Sequence, residues 1–141
     1  DVCMNSNAEE VESGWISRFD RLGCRDVDKD GYSDPTDDWI AHPQGFADAF
    51  PNDTSQWHDT DNDGFGDNME YFDGQAWRLA YRGDGCKTTY GLSTFDRWGC
   101  PDFDEDDWSD PTPYWLASPG GTADAWPEDP TQWHDRDGDG R

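Results

Sequence analysis

Asp59-Thr60-Asp61-Asn62-Asp63-Gly64-Phe65-Gly66-Asp67-Asn68-Met69-Glu70 is the stretch around which the rest of this chain is best understood. Side chains two residues apart in extended backbone point the same way, so Asp59, Asp61 and Asp63 crowd three carboxylates together. Like charges this close repel unless a multivalent cation neutralises them. Set on a twelve-position calcium loop, the stretch offers Asp59, Asp61 and Asp63 at positions one, three and five. Gly64 falls at the tight turn, the Phe65 carbonyl at seven, Asp67 at nine and Glu70, able to bind through both oxygens, at twelve.

The same writing occurs three more times. Asp26, Asp28 and Asp30 are followed by Gly31, the Tyr32 carbonyl, Asp34 and Asp37 at the same offsets. Asp102, Asp104 and Asp106 lead to the Trp108 carbonyl and Asp110, but Asp107 replaces the turn glycine and Pro113 stands at position twelve. Asp135, Asp137 and Asp139 run to Gly140 and Arg141. A donor set of oxygens alone suits a hard cation, and the large, forgiving shell implied by so many side chains favours calcium over magnesium. At least four ions are expected. Pro35 and Pro111 follow position nine, where an EF-hand would begin its exiting helix, so neither an EF-hand nor a dockerin is expected.

Composition explains why ions would matter. Thirty-three acidic residues against ten Lys or Arg leave a formal charge of −23, which disfavours nucleic acid and anionic membrane as partners. Leu, Ile, Val and Phe total only 16 of 141 residues, too few for an ordinary aliphatic core. Twenty-one aromatic residues, nine of them Trp, nonetheless argue against a solvated tail. Metal and disulfides are the supports that replace a missing core.

Setting residue n beside n+76 aligns Ser17 to Phe65 with Ser93 to Arg141, and 29 of those 49 positions are identical, which marks an internal duplication. Phe19-Asp20-Arg21 recurs as Phe95-Asp96-Arg97, and Gln56-Trp57-His58-Asp59 as Gln132-Trp133-His134-Asp135. The expected organisation is a first calcium-binding unit over 1–83 and a second over 84–141 that stops inside its last acidic loop. Nine Pro, fifteen Gly and abundant Asp interrupt any helical period, leaving a short helix near Ala8 to Arg18 and a turn or strand near Gln75 to Tyr81. The fold class expected is therefore irregular, with little regular secondary structure: an elongated tandem repeat stabilised by calcium and disulfides.

Cys3, Cys24, Cys86 and Cys100 form no Cys-x-x-Cys pair with a His set, so disulfides in an oxidising compartment are expected rather than zinc. Of three possible pairings, Cys3 with Cys24 and Cys86 with Cys100 repeats one local closure twice, each worth about 3 kcal/mol by chain entropy. Trp39, Trp57, Trp115 and Trp133 recur in register as candidate miniature cores, with sugar stacking as their alternative; Trp15 and Trp77 are better placed for sugar. His58 and His134 are expected at the surface or behind the ligands, and Asn52-Asp53-Thr54 satisfies the glycosylation sequon. No nucleophile, base and acid arrangement and no phosphate-cradling loop is present, so catalysis is not expected.

The stretch Asp48-Ala49-Phe50-Pro51-Asn52-Asp53-Thr54-Ser55-Gln56-Trp57-His58 leading into the acidic loop resembles the thrombospondin type-3 calcium repeat. Asp26 to Asp37 matches that family's loop, and its Asp-x-Cys-Pro and Asn-Pro-x-Gln connector is echoed twice, with Phe50 and Trp126 where the family has Cys. The resemblance implies calcium wrapped by irregular chain, and it implies Asp48, Asp84 and Asp124 as further ligands. It also implies an extracellular mechanical or adhesive role on a microbial surface: a stalk, spacer or filament building block whose partners are neighbouring repeats or identical subunits joined head to tail. A calcium-dependent module that binds surface glycans or a protein is the competing expectation. The substituted Cys positions leave the family's disulfide pattern behind.

Overall fold

The computed structural model describes residues 16–141. Among them there is no helix, and the only named strands are β1 (Glu70–Phe72) and β2 (Trp77–Leu79), an antiparallel pair. None of the described elements is a helix long and apolar enough to cross a membrane. The helix expected near Ala8 to Arg18 lies mostly outside the described residues, and its described end is not helical. Ile16 is bridged to Arg25, and the Ser17 amide donates to the Cys24 carbonyl at 2.8 Å.

The chain divides into two compact units, Asp1–Asn62 with Gly66–Gly83, and Asp63–Phe65 with Asp84–Arg141. In the first, Ala41 pairs with Ala47, Asp48 donates its amide to the Ser33 carbonyl, and Ala49 donates to the Trp57 carbonyl. In the second, the corresponding bonds join Ala117 to Ala123, Asp124 to Ser109 and Ala125 to Trp133. Sparse bridges are what a chain rich in Pro, Gly and Asp can form, because each of these residues interrupts a ladder.

What lies inside is mostly polar. The buried hydrophobic residues are Cys24, Ala47, Cys100 and Ala123, whereas Ser17, Ser33, Ser93, Ser109, Gln56, Asp26, Asp48 and Asp124 are as deeply buried. Rings instead pair near the loops. Tyr32 stacks on Trp57 at 5.4 Å in the first unit, and Trp108 on Trp133 at 6.4 Å in the second. Cys86 and Cys100 are disulfide-bonded, as expected. Cys24 is also in a disulfide, and its expected partner Cys3 lies outside the described residues.

The hairpin lies within the Gln75 to Tyr81 expectation on its second side only; β1 pairs Glu70 with Leu79 and Phe72 with Trp77. Asp73 closes its turn by accepting the Gln75 and Ala76 amides, and Gly74 sits at φ 94°, a left-handed angle glycine adopts without steric cost. Gln56 clamps the hairpin's base: its Nε2 donates to the Asn68 and Tyr81 carbonyls at 2.8 and 3.0 Å, and its Oε1 accepts the Asn68 amide at 2.9 Å.

Candidate metal centres

Each acidic loop is wound by its own first aspartate. Asp26 accepts the Lys29 amide with Oδ1 at 2.7 Å and the Gly31 amide with Oδ2 at 2.9 Å. Asp102 does the same for Glu105 and Asp107, and Asp135 for Gly138 and Gly140. Asp59 accepts the Asn62 amide at 2.7 Å. Drawing amides three and five residues on to one carboxylate forces left-handed backbone at two points of each loop. Those points are Lys29 and Gly31, Asn62 and Gly64, Glu105 and Asp107, and Gly138 and Gly140. The replacement of the turn glycine by Asp107 therefore does not alter the turn; Asp107 takes φ 75°.

The winding gathers ligands. In Asp26/Asp28/Asp30, Asp59/Asp61/Asp63, Asp102/Asp104/Asp106 and Asp135/Asp137/Asp139, one carboxylate oxygen from each residue lies within 4.8 Å of the others. All four triplets could hold a metal ion. The third aspartate of each accepts the amide two residues on, from Tyr32, Phe65, Trp108 and Arg141, through Oδ1. The backbone carbonyls of Tyr32, Phe65 and Trp108, the expected position-seven ligands, accept none of the backbone hydrogen bonds among the described residues.

Asp48 and Asp124 come to these loops from more than fifteen residues away in sequence. Each is wholly buried, and each accepts the amide two residues on, from Phe50 and Trp126, through Oδ1. In the first unit, Oδ2 of Asp28, Asp30 and Asp48 are all buried without a hydrogen-bond partner. In the second, the same holds for both oxygens of Asp104 and for Oδ2 of Asp106 and Asp124. Burial, reinforced by the neighbouring aspartates, pushes Asp28 up to about 6, Asp30 to about 8 and Asp48 to about 9. Asp124 is raised to about 6, and Asp102 and Asp106 upward, for the same reason. Carboxylates buried this way are the chemistry of a cation site. Asp84 is 3% exposed and accepts the Cys86 amide at 2.6 Å. Its Oδ1 and the Asp63 Oδ2 both crowd the open side of Gly99, where a Cβ would meet them at 2.4 and 3.2 Å.

The remaining expected ligands have partners of their own. Asp34 accepts the Val27 amide with Oδ1 and pairs through Oδ2 with Arg25. Asp67 accepts both the amide and the hydroxyl of Thr60, and Asp110 accepts the Phe103 amide. These position-nine carboxylates brace the outer strand of each loop and stand outside the triplets. Asp37 is exposed in the turn closed by Thr36 and Trp39, and Glu70 is exposed in β1. His58 meets Tyr32 edge-on at 5.3 Å and His42 in a tilted contact at 4.4 Å, and burial holds its imidazole below its ordinary value. Asn52 is exposed.

Asp20 and Asp96 carry a role that reading the sequence did not assign. Asp96 accepts the Ser109 amide and hydroxyl at 2.9 and 2.5 Å and the Trp115 indole at 2.8 Å; Asp20 does the same for Ser33 and Trp39. The adjacent Arg21 and Arg97 lie over the rings of Trp39 and Trp115 at 4.9 Å. The repeated Phe-Asp-Arg was the signal; its partners thirteen and nineteen residues on were not. Compared with known proteins, the chain matches no family model, no curated protein and no solved structure.

Proposed function

We propose that this chain is a calcium-binding extracellular structural segment, a rigid stalk, spacer or filament building block in which ions stand where a globular domain has apolar side chains. The observation that carries this is the burial of carboxylate oxygens of Asp28, Asp30 and Asp48, and of Asp104, Asp106 and Asp124, that no hydrogen bond satisfies, with Asp48 and Asp124 feeling the charges of the loop aspartates. Unneutralised, such groups cost several kcal/mol each. Donor sets of oxygen alone, with backbone carbonyls alongside, suit calcium. Disulfides support a secreted setting. The likeness to thrombospondin type-3 repeats belongs to the same proposal, with at least four ions, tandem repetition and an elongated chain.

Native mass spectrometry in calcium tests the ion count, and circular dichroism with small-angle scattering in chelator tests the structural role. Fewer than three bound ions, or a profile unchanged by chelator, rejects the proposal.

A second reading, adhesion to glycans or a partner protein, is favoured by the hairpin. Phe72, Trp77 and Leu79 lie on one of its faces and are 55%, 70% and 80% exposed. Neutral sugars stack on such rings. A glycan array in calcium, with Trp77→Ala as control, separates the readings.

A further inference from the structure

The second unit holds an open cavity of 570 Å³ beside its first acidic loop. Its apolar lining includes Tyr90, Leu92 and Phe103, which are 58%, 52% and 73% exposed, and its acidic lining includes Glu105, Asp107 and Asp110. Asp102, the first aspartate of the triplet, also reaches its edge, but its oxygens hold the Glu105, Asp106 and Asp107 amides.

The first unit shows what such a place accommodates. Positions 25–34 and 101–110 share their local backbone bonding. Asp34 and Asp110 donate their amides to the carbonyls of Arg25 and Pro101 at 2.8 and 2.7 Å, and each accepts the loop amide of Val27 or Phe103 through Oδ1. In both, a second arginine, Arg21 or Arg97, reaches the backbone carbonyl of that aspartate. The difference is the remaining carboxylate oxygen. In the first unit Arg25 supplies a guanidinium to Asp34, Nε to Oδ2 at 3.4 Å, and Lys29 adds a second base on the same loop. In the second unit Pro101 replaces Arg25 and Glu105 replaces Lys29, so the segment carries six acids and no base where its counterpart carries four acids and two bases. Among the described residues no basic side chain forms an ion pair with Asp110.

We propose that this cavity is a receptor for a guanidinium group, the side chain of an arginine carried by a partner polypeptide, which takes up on Asp110 the position that Arg25 fills on Asp34. A planar fork of donors matches a carboxylate, and a weakly hydrated cation is accepted by aromatic walls such as Tyr90 and Phe103, where a compact ammonium ion is held less well. Asp102 belongs both to the cavity edge and to the triplet, so the titration is run with and without calcium.

The test is a titration of the full chain, with and without calcium, using N-acetyl-arginine amide and its citrulline analogue, followed by amide chemical shifts. The expected result is saturable movement of the Tyr90, Phe103, Glu105 and Asp110 signals with the arginine compound, and binding at least about tenfold weaker with citrulline, which has the shape but not the charge. Pro101→Arg rebuilds the internal pair of the first unit and is expected to abolish the response. Asp110→Asn keeps an acceptor for the Phe103 amide and is expected to weaken binding at least about tenfold by removing the charge. Equal binding of citrulline, an undiminished response in both variants, or movement of these signals with calcium alone and none with the arginine compound would overturn the proposal.

Discussion

Replacing Asp48 with Asn should change stability in opposite directions with and without metal. Asp48 is wholly buried, and its carboxyl is raised to about 9. Ionising it at pH 7 therefore costs about 2.7 kcal/mol, two pKa units at about 1.36 kcal/mol each, and a bound cation must supply that energy. In Asp48→Asn the amide oxygen still accepts the Phe50 amide, and no carboxyl is left to ionise against the charges of Asp30 and Asp28. Metal-free protein should thus gain stability at pH 7, because folding no longer requires Asp48 to take up a proton. In excess calcium the variant lacks one anionic ligand; a hundredfold loss of affinity removes about 2.7 kcal/mol of the stabilisation by bound ion. Thermal unfolding in chelator and in millimolar calcium should then show Asp48→Asn melting above the parent in the first and below it in the second. The reasoning fails if the variant is destabilised equally in both, which would make Asp48 a packing residue only. It fails equally if the calcium-induced rise in Tm is unchanged.

Calcium binding at the first unit's cluster should release about two protons at pH 7, from Asp30 near 8 and Asp48 near 9, and calorimetry in buffers of different ionisation heat would detect none if the site is not there. Because these folded-state values lie above the ordinary carboxyl value of 3.8, the metal-free fold binds more protons than the unfolded chain. Its stability is accordingly fullest below pH about 4 and declines as pH rises through 6 to 9, which acid and alkaline melts in chelator would check. Asp107→Gly should stabilise the protein by about 1 kcal/mol, since φ 75° is strained for a residue with a Cβ; a lower melting temperature would contradict this. Gln56→Ala should cost about 3 kcal/mol in denaturant unfolding, because three bonds of a buried side chain to Asn68 and Tyr81 are lost, whereas Gln132→Ala, whose side chain makes one exposed bond to the nearby Asp129, should be close to neutral.

Whatever depended on residues within about five positions of one another could be read directly from the sequence. The four triplets and their turns belong to this class, because an aspartate and the amides it winds are neighbours in any conformation that forms the loop; the Cys86 to Cys100 closure spans 14 residues and followed instead from repeating one pairing in both units. The poverty of the apolar interior was equally legible, since composition bounds what can be buried. Extending the loop frame outward gives positions but not their hydrogen-bond partners. Asp34, Asp67 and Asp110 occupy ligand positions by spacing, yet their oxygens brace the loop's own backbone or meet Arg25 and Thr60. Glu70 was carried off by pairing with Leu79.

From the amino acids alone came the preference for cations, the acidic turns and the near absence of regular elements, all consequences of local charge and backbone freedom. Tertiary structure alone settled which distant partner each repeated residue meets. Gln56 clamps a hairpin while Gln132 touches only its neighbour; Asp34 has an arginine while Asp110 has a cavity. The physical reason is that a side chain's energy depends on what a remote segment brings within hydrogen-bond reach, and identical residues in duplicated sequence carry no record of that.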